Sequence, residues 1–142
     1  MANPSIVIDT NVVVAGLRSK QGWSFKLLSR IGDGTFDHCL SVPLLLEYED
    51  VLKRQATSLG LDLLAIDTLV NFWCAAGRQT LIYFQIDPLL PDPGDTKVLE
   101  LALTARADFI VSFNKRHFLE ADRFGIKVVT PFEFFAELGR VP

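Results

Sequence analysis

The sequence predicts a single α/β domain over residues 1–142, built on a mostly parallel sheet with helices on both faces. Three observations lead there. Short, wholly apolar runs such as "IVI" at 6–8 alternate with longer stretches whose apolar residues recur at helical spacing. No linker, repeat or low-complexity tract interrupts that alternation. With 49% hydrophobic residues and a mean hydropathy of +0.28, a chain of 142 residues can bury a substantial core.

Taken in order, Ile6 to Ile8 read as a first strand buried on both faces, because nothing polar alternates with them. The strand ends at Asp9, and the aliphatics after Asn11 begin the next packed segment; "GLRSKQG", 16–22, reads as a loop. A helix follows over 23–31 with Trp23, Leu27, Leu28 and Ile31 on one face, stopped by "GDG". "FDHCLS", 36–41, is a short second strand. Ser41 and Pro43 announce a helix whose apolar stripe is Leu44, Leu45, Tyr48, Val51 and Leu52. A further helix spans 61–76, and "TLIYF", 80–84, is the third strand. "DPLLPDPGD" is a turn-rich connection in which Asp92 is expected as a cap and Pro93 as the first residue of a helix. That helix, "TKVLELALTARA", is apolar on most faces and hence buried. "DFIVSF", 108–113, and "IKVV", 126–129, are the remaining strands. "TPFEFFAELG" closes the fold as a helix with Thr130 as cap and Pro131 at its first position.

Composition narrows the function classes. The apolar runs are too short for a membrane span, and no basic segment precedes an apolar signal core, so export is not expected. Cys39 and Cys74 lack metal-ligand spacing and read as buried thiols in a reducing, cytoplasmic compartment. A net charge of -3 and a pI near 5.3 are unlike a protein that coats nucleic acid, so any such contact must come from a local basic rim.

In sheets of this kind functional side chains collect where strands end and helices begin. Asp9 follows the first strand, Glu47 and Asp95 lie early in helices, and Asn114 follows the strand "DFIVSF". Carboxylates gathered at close range repel one another unless a cation is present. Hard oxygen donors suit Mg²⁺ or Mn²⁺, which can activate water and stabilise charge on a phosphodiester being cleaved. Plainer roles compete. Asp9 could bond a backbone amide at a strand end, and Asp95 could complement a helix N-terminus. Asp95 shares a helical face with Leu99 and Ala102, so it points to the packed side and needs a partner there. Glu47 and Glu49 flank the apolar stripe on opposite sides, and periodicity does not choose between them; either could be a solvated surface acid.

These segments, read together, resemble the PIN-domain nucleases, in particular the single-domain toxins of bacterial toxin–antitoxin pairs. "VIDTNVVVAGL" resembles the first motif, "LSVPLLLEYEDVL" the second, and "DPGDTKVLELALTARADFIVSFNKRHF" the third and fourth, over Ile6 to about Leu138. In the second motif a glutamate follows a serine by six residues, which selects Glu47, and the third acid by spacing is Asp95. The resemblance implies a three-layer α/β/α sandwich with about five strands and metal-dependent endonucleolytic hydrolysis of single-stranded RNA. It also implies that Asp9, Glu47 and Asp95 bind Mg²⁺ or Mn²⁺, with Thr10 and Asn11 orienting the first motif. A small antitoxin is the implied partner.

The fourth motif departs from the pattern. Many relatives carry another acid at the position of Asn114 or three residues later, where this chain has His117. Asn114 can offer a carbonyl oxygen but no charge; His117 is expected to pack or touch phosphate. Three charged ligands then remain. Arg18, Lys20, Lys115 and Arg116 are candidate RNA contacts forming a basic rim, each equally readable as an ordinary solvated charge. The helices "LLAIDTLVNFWCAAG" and "FEFFAEL" carry more apolar surface than such a sheet requires, which suggests a homodimer or an antitoxin groove. Two other readings compete: a PIN-like scaffold that binds RNA or protein without cutting, and a phosphotransfer enzyme with Asp9 as nucleophile. The latter ranks last because "DTN" brings no companion acid.

Overall fold

The computed structural model describes residues 3–82 and 93–139. Strands β1 (Ser5–Ile8), β2 (Asp37–Leu40), β3 (Arg78–Gln79), β4 (Phe109–Val111) and β5 (Lys127–Val129) form one sheet, all neighbours parallel, in the order β3-β2-β1-β4-β5. The helices packed around it are α1 (Thr10–Arg18), α2 (Trp23–Ser29), α3 (Val42–Arg54), α4 (Ala56–Leu59), α5 (Leu63–Ala76), α6 (Pro93–Ala105) and α7 (Pro131–Glu137). A 3₁₀ segment, Lys115–Phe124, joins β4 to β5 and is kinked at Phe118. The chain first builds outward from β1 through β2 to β3, then returns to β4 on the other side of β1. That reversal opens a crevice at the carboxyl ends of β1 and β4, the place where open parallel sheets bind ligands.

The elements follow from local chemistry. Ile6, Val7 and Ile8 are fully buried, as expected of a central parallel strand. Ser41 caps α3 by accepting from the Leu44 N–H at 3.3 Å, and Pro43 sits in the first turn, where its missing donor costs nothing. Leu44, Tyr48 and Leu52 then point into the core; each fully buried apolar side chain is worth about 1.5–3 kcal/mol. Thr130 and Glu133 close a reciprocal capping box on α7, worth about 1 kcal/mol. In α6, Val98, Leu99, Leu101 and Ala102 are all fully buried, matching its broad apolar face.

Several expectations are corrected. The segment after Asn11 is a helix, and it continues through residues expected as loop, so the loop shrinks to 19–22. Three consecutive valines are mediocre helix formers, but Val12, Val13 and Val14 are all buried, and that packing outweighs propensity. Gly16 allows the tight contact of α1 with α2: a Cβ there would lie 2.5 Å from Leu28 Cδ1 and 3.0 Å from the Ser24 carbonyl. The helix expected over 61–76 begins at Leu63, where Asp62 accepts from the Ala65 N–H at 2.7 Å, and the separate turn α4 precedes it. Among the described residues the third strand is Arg78–Gln79, and residues 80–82 of the expected run are not strand; Tyr83, Phe84 and the expected cap Asp92 lie outside the described residues. Cys39 is buried as expected, but Cys74 is exposed on α5. The 3₁₀ segment was not anticipated, since its residues show no simple period.

Candidate functional site

The site begins with the register of β1 against β4. Ile8 pairs with Val111, and the ladder continues one step as the Asp9 N–H donates to the Val111 carbonyl at 2.9 Å. Asp9 and Ser112 therefore emerge side by side at the crevice. Asp9 stands at the N-cap position of α1 in extended conformation, yet its side chain does not cap the helix. It accepts instead a 2.6 Å hydrogen bond from Ser112 Oγ, and both residues are buried. Ser112 is held in turn by its own N–H to the Val129 carbonyl and by accepting from the Asn114 N–H at 2.9 Å.

Glu47 is brought to the same edge by α3. The fully buried Tyr48 phenol donates to the Ile8 carbonyl, which fixes the rotation of α3 against the end of β1. The preceding residue of the helix, Glu47, then accepts from Thr10 Oγ1 at 2.6 Å. Glu49, which periodicity could not separate from it, points to solvent and pairs with Lys53 at 3.3 Å. Asp95 enters from the first turn of α6 and is buried together with Leu99 and Ala102.

Burial pushes the Asp9 carboxyl up to about 6; the Ser112 hydrogen bond pulls it back, and the charges of Asp95 and then Glu47 raise it further. Asp9 thus feels both other acids across the crevice. They are not a finished cage: among the described residues, no three His, Cys, Asp or Glu side chains are gathered as a metal-holding group. Two cationic or protonatable side chains meet the outer acids. Lys97 Nζ lies 3.7 Å from Glu47 Oε1, and His117 Nδ1 lies 3.0 Å from Asp95 Oδ2. The His117 contact has ion-pair distance but not hydrogen-bond alignment, since Nδ1 has no hydrogen-bond partner among the described residues. The donor chemistry fits a hard divalent cation: a buried carboxyl destabilised by its own burial and by two acidic neighbours is relieved by positive charge.

The other expected residues divide. Thr10 is buried and holds Glu47, whereas the Asn11 carbonyl oxygen is buried with no hydrogen-bond partner among the described residues. Asn114 is exposed; its backbone caps the 3₁₀ segment, its carbonyl accepting from the His117 N–H at 2.9 Å. Arg18 is carried about 12 Å along α1 from Thr10, since a helix rises 1.5 Å per residue, and donates to Gln55 at 2.9 Å. Lys115 turns to α7 and contacts both Glu133 oxygens at 2.9 and 3.0 Å. Lys20 and Arg116 are exposed. Ser112 and Lys97 are the polar side chains at the site that sequence reasoning missed. For Ser112 the available signal was a lone hydroxyl at the end of the buried run "FIV"; Lys97, two residues after Asp95, looks like any helix-surface lysine.

No curated protein matches the chain closely. A family model described as the PIN domain matches residues 5–116, most of the chain, from β1 through the exit of β4. PIN domains are in general metal-dependent nucleases, and the matched span carries Asp9, Glu47 and Asp95. The order β3-β2-β1-β4-β5, the crevice at β1 and β4, and the family match agree: the chain belongs to the PIN-domain family.

Proposed function

We propose that this protein is an endoribonuclease that hydrolyses single-stranded RNA with Mg²⁺ or Mn²⁺, acting in the cytoplasm as the toxin of a toxin–antitoxin pair. The observation that carries the nuclease reading is buried Asp9, its carboxyl raised by burial and flanked by Asp95 and Glu47 where the sheet reverses. Asp9, Glu47 and Asp95 would hold the ion, which when bound supplies an activated water and offsets charge on the scissile phosphate. The chain's own residues do the positioning. Ser112 orients the Asp9 carboxylate, Thr10 orients Glu47, and Tyr48 locks α3 so that Thr10 and Glu47 meet. Lys97 and His117 bring positive or protonatable groups to the acids that a phosphate would approach.

The test is cleavage of defined single-stranded, structured and transfer RNAs with Mg²⁺ or Mn²⁺ by wild type, Asp9→Asn and Asp95→Asn. Retained metal-dependent cleavage by both folded variants would sink the assignment. The second reading, a scaffold that binds RNA or protein without cutting, draws on Asn114, an exposed and uncharged side chain where the resemblance expects a further acid. Titration with Mn²⁺ separates the two, because no binding at millimolar concentration favours the scaffold.

A protein partner draws support from α5, where Leu63, Leu64 and Phe72 are exposed. The closing helix contributes less than its sequence suggests, since Phe134 and Phe135 are fully buried in the core. A homodimer through α5 predicts a doubled mass by light scattering, whereas a monomer leaves that face for an antitoxin. No helix among the described residues is long and apolar enough to cross a membrane.

A further inference from the structure

Beside the acidic crevice lies a second cleft, of about 310 Å³, between the far half of α1, the start of α2, the exit of β4 and the start of α7. Its walls include Ala15, Trp23, Phe113, Pro131 and Phe132. Phe113 and Phe132 are 49% and 45% exposed, so a large part of each ring faces solvent. Trp23 and Phe132 meet edge to face with centroids 5.2 Å apart, and Trp23 rests on the fully buried Phe135 at 5.6 Å. The platform is therefore anchored in the core from beneath. It is tied to the acidic site through the backbone, because Phe113 follows Ser112, whose hydroxyl holds Asp9, and adjacent Cα atoms are about 3.8 Å apart.

Two exposed cations lie close in sequence to the residues that line this cleft. Lys20 lies between two of its lining residues, Ser19 and Gly22, and Arg116 follows Phe113 by three residues. Neither makes a hydrogen bond or ion pair with a described residue, unlike Lys115, which is held by Glu133, and Arg18, which is held by Gln55. Exposed aromatic rings, with uncommitted cations a few residues away along the chain, suit a ligand that is planar and apolar in its body and anionic along its edge. A volume at the lower end of small-ligand pockets accepts a planar ring and not the long apolar stripe of a docking helix.

The geometry points to a base-stacking subsite: the cleft takes one unpaired base of the RNA substrate on Phe113 and Phe132, while flanking phosphates pass Lys20 and Arg116. The proposal rests on the nuclease reading for the identity of the strand, and it gives that reading a physical basis for single-strand selectivity. Bases inside a duplex are already stacked on one another and cannot enter.

The test uses a short fluorescein-labelled single-stranded RNA, binding followed by anisotropy in EDTA so that nothing is cut. Phe113→Ala and Phe132→Ala should each weaken binding about 5- to 100-fold, and Phe113→Trp should restore it. Scanning an abasic nucleotide along the RNA should reveal one position where wild type loses the same factor and Phe113→Ala loses nothing further. The scan on wild type alone also decides the question if an alanine variant misfolds. Equal binding by wild type and Phe113→Ala, no sensitive abasic position, or equally tight binding of a duplex would overturn the proposal. So would a Phe113→Ala defect confined to self-association or to binding a helical protein. Adding Mn²⁺ to the same wild-type mixture tests the nuclease reading separately. Base-dependent binding without cleavage keeps the subsite and removes the nuclease; cleavage with an unchanged KM in Phe113→Ala does the reverse.

Discussion

The two ends of the β1–β4 strand pair carry the same motif in opposite settings. At the amino end, Asp108 accepts from the Ser5 N–H at 2.8 Å and from Ser5 Oγ at 3.2 Å. At the carboxyl end, Ser112 Oγ donates to Asp9 at 2.6 Å. Each is one serine on one aspartate across the same two strands. Asp108 is exposed, and its oxygen is served twice by a residue that brings no further charge. Asp9 is buried, pushed up to about 6, and shares its surroundings with Asp95 and Glu47. An aspartate–serine pair is thus a strand clasp where water and donors satisfy it, and a candidate ligand where burial and neighbouring acids leave charge uncompensated.

The largest expected effect separates the two aspartates. Asp9→Asn should lower metal-dependent RNA cleavage by about 10³-fold or more while the protein stays folded. Asp108→Asn should leave cleavage unchanged and cost about 1 kcal/mol in denaturant unfolding. Loss of activity in both would erase the contrast. Next comes the choice between the two glutamates on α3. Glu47→Gln should reduce cleavage about 10²-fold and weaken Mn²⁺ binding, whereas Glu49→Gln, at a half-buried partner of Lys53, should stay within about twofold. Calorimetric titration with Mn²⁺ alongside cleavage rates checks both.

The serines provide a finer comparison. Ser112→Ala should lower cleavage or metal affinity about 10-fold by freeing the Asp9 carboxylate to turn, as loss of an orienting partner commonly does. Ser5→Ala should cost about 1 kcal/mol of stability with no change in rate. The last comparison concerns stability alone, in the sheet between the two ends, where His38 pairs with Ile6. Burial lowers the His38 pKa to about 4, and neither ring nitrogen has a hydrogen-bond partner among the described residues. Below pH 6.5 the unfolded chain binds a proton that the folded ring refuses until about pH 4, so stability falls as pH drops through that window. Relative to His38→Leu, wild type should lose up to about 3 kcal/mol between pH 7 and pH 4, read as urea midpoints. A constant difference between the two would show that the ring does not titrate this way.

Much of this architecture is legible in the residues alone, for identifiable reasons. Strand β1 is visible because three aliphatics without alternation have one stable place in such a fold, between two buried faces. Helices α3 and α7 are visible because Ser41 with Pro43 and Thr130 with Pro131 are local starting signals that need no tertiary partner. Helix α1 is not legible as a helix because its valines favour strands locally, and only packing against the core reverses that preference. At the site, Glu47 and Glu49 look alike to periodicity. Tyr48 decides between them, and its bond to Ile8 is a contact across 40 residues.

The basic rim shows the same division. Arg18, Lys20, Lys115 and Arg116 are equivalent charges in the sequence, but α1 carries Arg18 to Gln55 and the 3₁₀ segment delivers Lys115 to Glu133. What the sequence determined by itself was whatever depends on neighbours a few residues away: apolar period, caps, and the acids set just past strand and helix starts. Tertiary structure alone decided which acids share a crevice, that Ser112 holds Asp9, and that Lys97 and His117 stand against Glu47 and Asp95. Those contacts join residues 22 to 103 positions apart, and their energies arise from burial and charge at distances that only the folded chain brings about.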